Sequence, residues 1–580
     1  MNLKKLFLII GFLFFAYGVN GQTNKMPQEN VAFPTESVFI HYNSALLFSG
    51  ETLYYKIYCI NNLSNKLSNI SKVAYVELVG EDAKPFFKHK IKIENGQGSG
   101  DFLLPSSVVS GNYKLIGYTL WMNNNTVNKF FQTDIKIVNP YLAINKNVLK
   151  TDSIVNRKSN SKINPPIPEQ DYQLKIDKDI FKTRSKVQLS IVSSKEKLSN
   201  ASISVYKVNE IKAESPLSSI IFFDNHLNKT LEKTIPQNNI IQLPEIRGEL
   251  LKGVLESEIH DVSNKNIAFS IPDGGLLNIV KTNEKGEFNF SVKANYYDNI
   301  AYAQILDDNP NDYKLKINSL FEMDYSMLDY DEFEINTNDE QKILKRSILN
   351  QIDNAYLFTK SDSLIIKESN LPFDDDYDLI YDLDDYNRFS DMRETFIEII
   401  NQAQINTVSK DNFQFAVLNP LGTFDRSLPP LLVIDGIIIK DPNLLVNYNA
   451  KKIKYIKIVK DKYFLGTSVF NGVISFQTIN NDFYKSINDS TARKLELYSF
   501  EDIKHYKNAS YQGNLLNEKT RIPDYRRQLY WNPNIELSKK TNSFTFYTSD
   551  NTGKFEIRVE GFTEQGEPVT LSSIFTVVEE

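Results

Sequence analysis

The feature that most constrains this chain is the recurrence of short strand-like segments separated by turns rich in glycine and asparagine. Between residues 31 and 140, the segments Leu53–Ile60, Val73–Val79 and Tyr113–Met122 are apolar or alternate in polarity. The turns recur roughly every 8–15 residues, which is typical of a β-sandwich. Aromatic residues, which favour strands, make up 12% of the chain. We therefore predict a mainly β chain: tandem β-sandwich modules, then a small α+β domain and a C-terminal β-rich module.

Changes in composition divide the 580 residues into modules. At ~100–200 residues per domain, the length corresponds to about three to five domains. The predicted division is a signal peptide at 1–21, a first sandwich at 31–140, a polar linker at 141–168, a second sandwich at 169–245, a small β-module at 246–310, an acidic helical insert at 322–398, an α+β domain at 399–480 and a β-rich module at 500–580.

Two stretches predict tight hairpins. In the small β-module, the turn Asn283–Gly286 lies between Asn278–Thr282 and Glu287–Val292. In the α+β domain, Asp435 and Gly436 follow an apolar run and precede another. An Asp-Gly or Gly-containing turn between two alternating runs indicates antiparallel pairing of those runs.

The acidic insert contains the clearest helical patterns. Residues 322–398 hold 21 acidic and 7 basic side chains, a net charge of −14, so the remainder of a chain with a net charge of −6 carries +8. Thr337 and Glu340 form a capping box before a first helix, and Asp391 with Glu394 begins a second. The predicted apolar faces are Ile343, Leu344, Ile348, Ile352 and Tyr356 in the first helix, and Met392, Phe396, Ile399, Ile400 and Ala403 in the second.

The N-terminus has the pattern of a secretory signal peptide. Lys4 and Lys5 precede the apolar run Leu6–Tyr17, and Val19 and Gly21 suit cleavage after residue 21. A buried N-terminal strand is the alternative. No cysteine follows the apolar run, so lipidation is not indicated, and no later run approaches the ~18–20 residues of a membrane helix. We predict an exported protein of the periplasm or outer membrane with no transmembrane helix.

Nothing in the sequence marks a catalytic centre. Cys59 is the only cysteine, and the alternation of its strand predicts a packing role. The five histidines are scattered without metal-ligand spacing, and no nucleophile motif occurs. We predict no enzyme activity, no catalytic residue and no cofactor. The sequence pI near 5.7 argues against nucleic acid as a partner.

One acidic run has partial resemblance to a calcium-binding loop. Asp374, Asp376, Asp378, Asp382 and Asp385 occupy positions 1, 3, 5, 9 and 12 of an EF-hand count. The sixth position is Leu379, where the loop needs glycine, and the twelfth is Asp rather than Glu. A solvated acidic loop is therefore the leading interpretation, and a Ca²⁺ site is the alternative.

Residues 33–138 resemble a macroglobulin (MG-type) sandwich. The resemblance lies in the strand from Glu36, Ser49–Lys56, Asp101–Pro105 and Ser110–Thr119. Such domains in α2-macroglobulin-like proteins precede a thioester that traps proteases. That thioester requires a Gly-Cys-Gly-Glu-Gln-like run, which is not present around Cys59, so the resemblance does not imply trapping here.

Residues 246–310 resemble a carboxypeptidase regulatory-like β-module. Gly248–Val254 and Thr282–Phe290 carry the likeness. Such a module is structural in most settings and commonly precedes an outer-membrane plug domain.

Residues 411–480 resemble the plug domain of TonB-dependent receptors. The similarity covers Leu432–Gly436, Ile453–Lys460, Tyr463–Gly466 and Asn471–Thr478. It departs at Phe470–Gly472, where a Gly-Gly pair is usual. A generic α/β module is the alternative. A 22-stranded barrel needs over about 200 residues in strands, and 100 residues follow Asn480. We therefore expect a docking module without a pore of its own.

The three resemblances together are typical of exported Bacteroidetes proteins. They imply a non-enzymatic scaffold of the outer membrane or periplasm, whose partner is an envelope protein such as a β-barrel. The alternative is an envelope-associated protein that binds carbohydrate or peptide through aromatic side chains. A secreted hydrolase is a third, weaker alternative.

Overall fold

A computed structural model describes most of the chain. It covers residues 35–124, 130–142, 149–150, 171–193, 198–227, 242–272, 276–292, 300–307, 312–318, 323–356, 362–365, 377–424, 427–486, 492–511, 522–537 and 540–579. Strands dominate these residues, which confirms the prediction of a mainly β chain. The predicted signal peptide and most of the predicted linker lie outside them. None of the helices in this described part is long and apolar enough to cross a bilayer.

The strands follow one another in short segments. In the first half of the chain they are β1 (Glu36–Tyr42), β2 (Leu46–Phe48), β3 (Thr52–Asn61), β4 (Val73–Gly80), β5 (Pro85–Lys92), β6 (Gln97–Leu103), β7 (Gly111–Tyr118), β8 (Phe131–Val138), β9 (Leu149–Lys150), β10 (Tyr172–Ile176), β11 (Ile180–Lys182), β12 (Lys186–Ser193), β13 (Leu198–Lys207), β14 (Glu249–Glu256), β15 (Asn266–Ile271), β16 (Leu276–Lys281) and β17 (Glu287–Val292). In the second half they are β18 (Ile300–Ile305), β19 (Lys314–Asn318), β20 (Ile335–Asn336), β21 (Ser363–Leu364), β22 (Leu379–Asp382), β23 (Ala403–Ser409), β24 (Asn412–Val417), β25 (Leu431–Ile434), β26 (Ile437–Ile438), β27 (Ile453–Leu465), β28 (Ser468–Thr478), β29 (Ala492–Glu496), β30 (Lys504–His505), β31 (Gln528–Leu537), β32 (Thr541–Tyr547), β33 (Gly553–Phe562) and β34 (Pro568–Val578).

Helices are few among the described residues, and all but one of the α-helices have seven residues or fewer. The α-helices are α1 (Ser219–Phe222), α2 (Glu340–Ala355), α3 (Met392–Glu398), α4 (Pro442–Val446) and α5 (Phe483–Ser486). The other helical turns are Leu120–Asn124, Thr337–Asp339, Leu383–Asp385 and Ala450–Lys452, of the 3₁₀ type, and Phe223–Leu227, of the π type.

The first sandwich packs the sheet β1-β3-β6 against the sheet β2-β8-β7-β4-β5. Strand β3 is buried on both faces, because its other face lies against a second sandwich. Across that junction, the Tyr58 hydroxyl donates to the carbonyl oxygen of Glu560 at 2.9 Å. The ring of His41 lies 2.7 Å from the Ser202 hydroxyl. The two sandwiches therefore share a polar, buried contact through their β-sheets.

The second sandwich draws its strands from two distant parts of the chain. One sheet has the order β10-β12-β32 and the other β11-β34-β33-β13-β31. Strand β13 pairs with β31 on one edge and β33 on the other. The prediction treated 169–245 and 500–580 as separate modules, whereas the structure joins their strands in one sandwich. The strand pattern of each segment shows a half-buried surface but not which strand pairs with it.

The third module consists of the sheets β17-β14-β19 and β16-β15-β18-β29. Its predicted hairpin is wrong. The turn forms, with the amide of Gly286 donating to the carbonyl of Asn283 at 3.0 Å, but β16 pairs with β15 and β17 pairs with β14. The turn thus carries the chain from one sheet to the other. Strands β19 and β29 extend the module beyond its predicted end at residue 310.

Residues 377–486, called the plug-like module here after the resemblance predicted from the sequence, contain the sheet β22-β27-β28-β25-β26 and the ribbon β23-β24. Its predicted hairpin at Asp435 and Gly436 is confirmed, since both residues have positive φ (48° and 76°). The Asp435 carboxylate accepts hydrogen bonds from the amides of Thr478 (2.7 Å) and Phe483 (3.0 Å). This ties the hairpin to the end of β28 and to α5.

Helix α3 begins where the sequence predicts. The Asp391 side chain accepts hydrogen bonds from the amides of Arg393 (2.7 Å) and Glu394 (3.3 Å), as an N-cap does. Met392 and Phe396 are buried in the core of the plug-like module. The helix ends at Glu398, so Ala403 belongs to β23 rather than to the helical face.

Helix α2 departs from the prediction in two ways. The N-cap residue of α2 is Asp339, whose side chain makes no capping hydrogen bond, and Asn336 caps the 3₁₀ turn that precedes the helix, so the predicted Thr337–Glu340 capping box is wrong. The predicted apolar face is also wrong in part, because Leu344 and Ile348 are 52% and 47% exposed. The helix buries Arg346 instead. The acidic segment is therefore not one insert: α2 packs on the first sandwich and α3 belongs to the plug-like module.

Candidate functional site

A cavity of about 770 Å³, here called the central cavity, lies where the two sandwiches and helix α2 meet. Its wall also contains residues from 362–364 and 504–511, two segments joined by the pairing of β21 with β30. The volume falls within the ~300–1,000 Å³ that small-molecule sites usually have.

Helix α2 is fixed to the first sandwich by amide side chains. Asn350 donates to the carbonyl of Ser49 at 2.8 Å, and Asn354 donates to that of Gly50 at 2.9 Å. Gly50 has φ +84°, and a Cβ there would lie 2.6 Å from the Asn354 side-chain nitrogen. Both the backbone conformation and the close approach of the helix therefore require glycine.

A buried ion pair forms one end of the cavity. Two nitrogens of Arg346 donate to the two carboxylate oxygens of Glu51 at 2.8 and 2.6 Å. The guanidinium also lies 4.3 Å from the centre of the Phe48 ring. Burial alone would raise the pKa of Glu51, but the charge and hydrogen bonds of Arg346 hold that pKa below its usual value.

Two further basic side chains of the wall are paired with carboxylates inside the protein. Arg526 donates to Asp524 at 2.8 Å, and Lys504 donates to Asp101 at 2.9 Å. The acidic side chains of the wall are Glu51, Asp101, Asp353, Asp362 and Asp524, and the basic ones are Arg346, Lys504, Lys507, Arg526 and Arg527. Five negative and five positive groups cancel, so the described wall has no net formal charge.

Aromatic rings form a second part of the wall. Tyr54 lies between two of them: its ring centre is 5.7 Å from that of Trp531, at 34°, and 5.5 Å from that of Tyr506, at 79°. The Tyr506 hydroxyl donates to Asp101 at 3.1 Å. Burial raises the pKa of Tyr54, and the charges of Asp362 and Asp101 raise it further. These tyrosines are therefore neutral hydrogen-bonding groups.

Two polar groups of the wall retain unused capacity. Asp362 accepts from the amide of Lys507 through one oxygen, at 2.6 Å, and its other oxygen has no hydrogen-bond partner among the described residues. Burial, then the charge of Asp101, raises the pKa of Asp362. The indole N–H of Trp531 is buried and, within the same described part, unpaired. An unpaired buried donor costs about 1–3 kcal/mol.

The residues singled out from the sequence lie elsewhere. Cys59 is fully buried in β3, and burial raises the pKa of its thiol well above the usual value. None of the five histidines lines the described wall of the cavity.

The calcium candidates are only partly described. Asp374 and Asp376 lie outside the described residues. Asp378 accepts from the amide of Lys460, and Asp382 caps the short turn that contains Asp385. Among the described residues, no group of three or more potential ligands could hold a metal, and a Ca²⁺ site stays a prediction.

The sequence does not predict the central cavity, because the wall of the cavity combines residues more than 400 positions apart in the chain. A local signal was present in the density of tyrosine and tryptophan between Tyr506 and Trp531. That signal shows aromatic side chains but not that they meet Tyr54.

Comparisons with known proteins give distant structural likeness only. No family model matches the chain, and no curated protein matches it. Native Escherichia coli alpha-2-macroglobulin is 10% identical, with a TM-score of 0.24, over 94% of this chain and 40% of that one. Salmonella alpha-2-macroglobulin reacted with methylamine is 9% identical, with a TM-score of 0.23, over 94% and 40%. Dimeric latent PorU from Porphyromonas gingivalis is 11% identical, with a TM-score of 0.15, over 49% and 33%. The chain is thus similar, at low identity and low TM-score, to bacterial macroglobulin structures, of which it spans about two fifths of the length.

Proposed function

We propose that this protein is a non-enzymatic, exported scaffold of the outer membrane or periplasm that presents the plug-like module to an envelope partner. The observation that supports this most is the rigid attachment of that module to the third module. They share a hydrophobic cluster that includes Ala268, Ile279, Leu431 and Val473.

Hydrogen bonds and close contacts reinforce this attachment. The amide of Ile438 donates to the Ser270 hydroxyl at 3.1 Å, and Gln304 donates to the Ile438 carbonyl at 2.5 Å. A Cβ at Gly466, which has φ +56°, would lie 1.8 Å from the Ile279 carbonyl oxygen. A module held this firmly has a fixed outer surface, as a docking surface needs.

Pull-down from a detergent-solubilised envelope tests this proposal. Ile397 on α3 is 78% exposed, so Ile397→Asp should abolish or strongly reduce recovery of the partner while leaving the fold intact. Ile259 in the third module is 71% exposed and gives the matched control, Ile259→Asp, which should retain the partner. Recovery of the wild-type protein alone would contradict the proposal.

A second candidate function is binding of carbohydrate or peptide in the envelope. The central cavity favours it, because its size and its aromatic and polar wall are those of a small-molecule site. Direct binding measurements with purified protein separate it from the scaffold function, which needs no soluble ligand.

A further inference from the structure

We infer that the central cavity binds a neutral oligosaccharide, with the rings of Tyr54 and Tyr506 packing against sugar rings and Trp531 supporting Tyr54 from behind. This rests on the second candidate function above and names its ligand class.

The charges of the wall indicate a neutral ligand. Arg346, Arg526 and Lys504 each donate to an internal carboxylate at 2.9 Å or less. An ion that bound at Arg346, Arg526 or Lys504 would have to displace the carboxylate that is already there and leave that carboxylate without its partner. A neutral ligand leaves all of them in place.

The aromatic side chains indicate a ligand with flat apolar faces and a polar rim. Tyr54 and Trp531 are inclined at 34°, and Tyr506 stands nearly perpendicular to Tyr54 at 79°. Rings in two orientations offer both faces and edges to a ligand. A pyranose presents C–H groups on its faces, which suit an aromatic ring, and hydroxyls around its edge.

The unused polar groups match those hydroxyls. The oxygen of Asp362 that has no hydrogen-bond partner among the described residues can accept from a hydroxyl. Asn508, an exposed residue of the wall, adds an amide that both donates and accepts. Hydroxyls, which both donate and accept, are the ligand groups that satisfy this combination.

A peptide is the competing ligand class. Peptides commonly add a strand to an open sheet edge. Strand β3, which carries Tyr54, has no open edge, whereas β6 and β31, which also line the cavity, are edge strands, so the test below includes peptides.

The test uses the full protein with the Trp121→Phe substitution. The chain has two tryptophans, so this variant leaves Trp531 as the only tryptophan, and its emission is excited selectively over that of the tyrosines. The protein is applied to an array of neutral oligosaccharides of about two to four units, acidic oligosaccharides of the same size and short peptides. Hits are then titrated by fluorescence and calorimetry. We expect neutral oligosaccharides to bind and to change the Trp531 emission.

Variants connect binding to the cavity. Tyr54→Ala and Tyr506→Ala should weaken binding about 10-fold, while Tyr506→Phe, which keeps the ring, should stay within about 3-fold of wild type. Asn508→Ala changes an exposed side chain that the fold does not need, and should weaken binding about 3–10-fold. The control Tyr386→Ala, a 45% exposed residue of the plug-like module, should bind as wild type does.

Several results would overturn the inference. These are an array without neutral hits, binding of acidic oligosaccharides or peptides alone, and unchanged affinity in folded Tyr54→Ala and Asn508→Ala. The scaffold function has a separate readout. If the pull-down recovers a partner but no oligosaccharide on the array binds, the oligosaccharide inference fails and the scaffold function stands.

Discussion

At the scale of single residues, the molecule places charged groups where burial makes them costly. Glu51 and Arg346 are 8% and 7% exposed and hold each other through two hydrogen bonds. Removing Arg346 would leave the buried carboxylate of Glu51 with only the more distant guanidinium of Arg527, at 3.7 Å, in a medium of low polarity. These residues connect the first sandwich to α2, so their geometry also fixes one end of the central cavity.

We predict that Arg346→Met lowers the free energy of unfolding by about 3–5 kcal/mol. The double variant Glu51→Gln with Arg346→Met should be less destabilised than the sum of the two single variants, because neither charge is then left alone. Urea unfolding followed by tryptophan fluorescence measures both.

The exposed pair Lys316–Glu256, at 2.7 Å, supplies the control. Its side chains are 47% and 46% exposed, so Lys316→Met should change stability by about 0–1 kcal/mol. If Lys316→Met and Arg346→Met lowered the free energy of unfolding equally, burial would not be what makes the Glu51–Arg346 pair important for stability.

We predict that the buried carboxyl group of Glu245 makes the free energy of unfolding depend on pH. Burial, and then the charge of Glu249, raises the pKa of Glu245 to about 8 from 4.5. Between these two values the unfolded chain loses its proton while the folded chain keeps it, so rising pH favours unfolding. The resulting loss of stability is absent below pH 4.5, the usual pKa of the group, and complete above about pH 8.

Glu245→Gln should therefore flatten the fall in thermal stability between pH 5 and 8.5. The substitution keeps the hydrogen-bonding shape but does not titrate. Glu287 is exposed at the end of β17, so Glu287→Gln should leave the slope unchanged. Identical pH profiles for wild type and Glu245→Gln would rule out this group as the cause.

At the scale of elements, α2 shows what periodicity can and cannot predict. The many good helix-forming residues of α2 explain its length. The positions of its apolar residues do not predict which face of the helix packs against the protein. Polar residues Arg346, Asn350 and Asn354 face the first sandwich because Glu51 and two carbonyls there need donors. Helix α3 behaves in the opposite way, since its apolar residues are in the core and its cap is Asp391.

Ile348→Lys should change the free energy of unfolding by less than about 0.5 kcal/mol, since its side chain is 47% exposed. Phe396→Ala, in the core of the plug-like module, should cost about 3–5 kcal/mol. Chemical denaturation of both variants checks this difference. A loss above 2 kcal/mol for Ile348→Lys would mean that the predicted apolar face is buried after all.

Strand positions are the part of the fold that local sequence predicts well. The turn at Asp435 and Gly436 was predicted because two successive residues with positive φ suit Asp-Gly. The turn at Gly286 has the same local signal, yet its strands enter different sheets, since a turn sets direction and not pairing. The central cavity depends on several such long-range pairings, and its residues were not predicted for that reason.

At the scale of the whole molecule, the second sandwich makes the C-terminal strands a structural requirement for an early part of the chain. Strand β13 lies between β31 and β33, and β12 lies between β10 and β32. Neither sheet of the second sandwich can close with residues 171–207 alone.

We predict that a fragment of residues 171–245 is unfolded in isolation and becomes β-structured when residues 522–580 are added. Far-UV circular dichroism of each fragment and of the mixture measures this. A cooperative thermal transition of 171–245 alone would show that the predicted separate module exists.

The separation in sequence between the two halves of the second sandwich affects how the protein folds during synthesis. About 320 residues separate the end of β13 from the start of β31. At ~5–20 residues per second, synthesis leaves the early strands without partners for roughly 15–60 s. During that interval their open edges can pair with other chains. Production of this protein therefore depends on keeping an unfinished sandwich apart from its neighbours, and slow folding is the behaviour that its topology imposes.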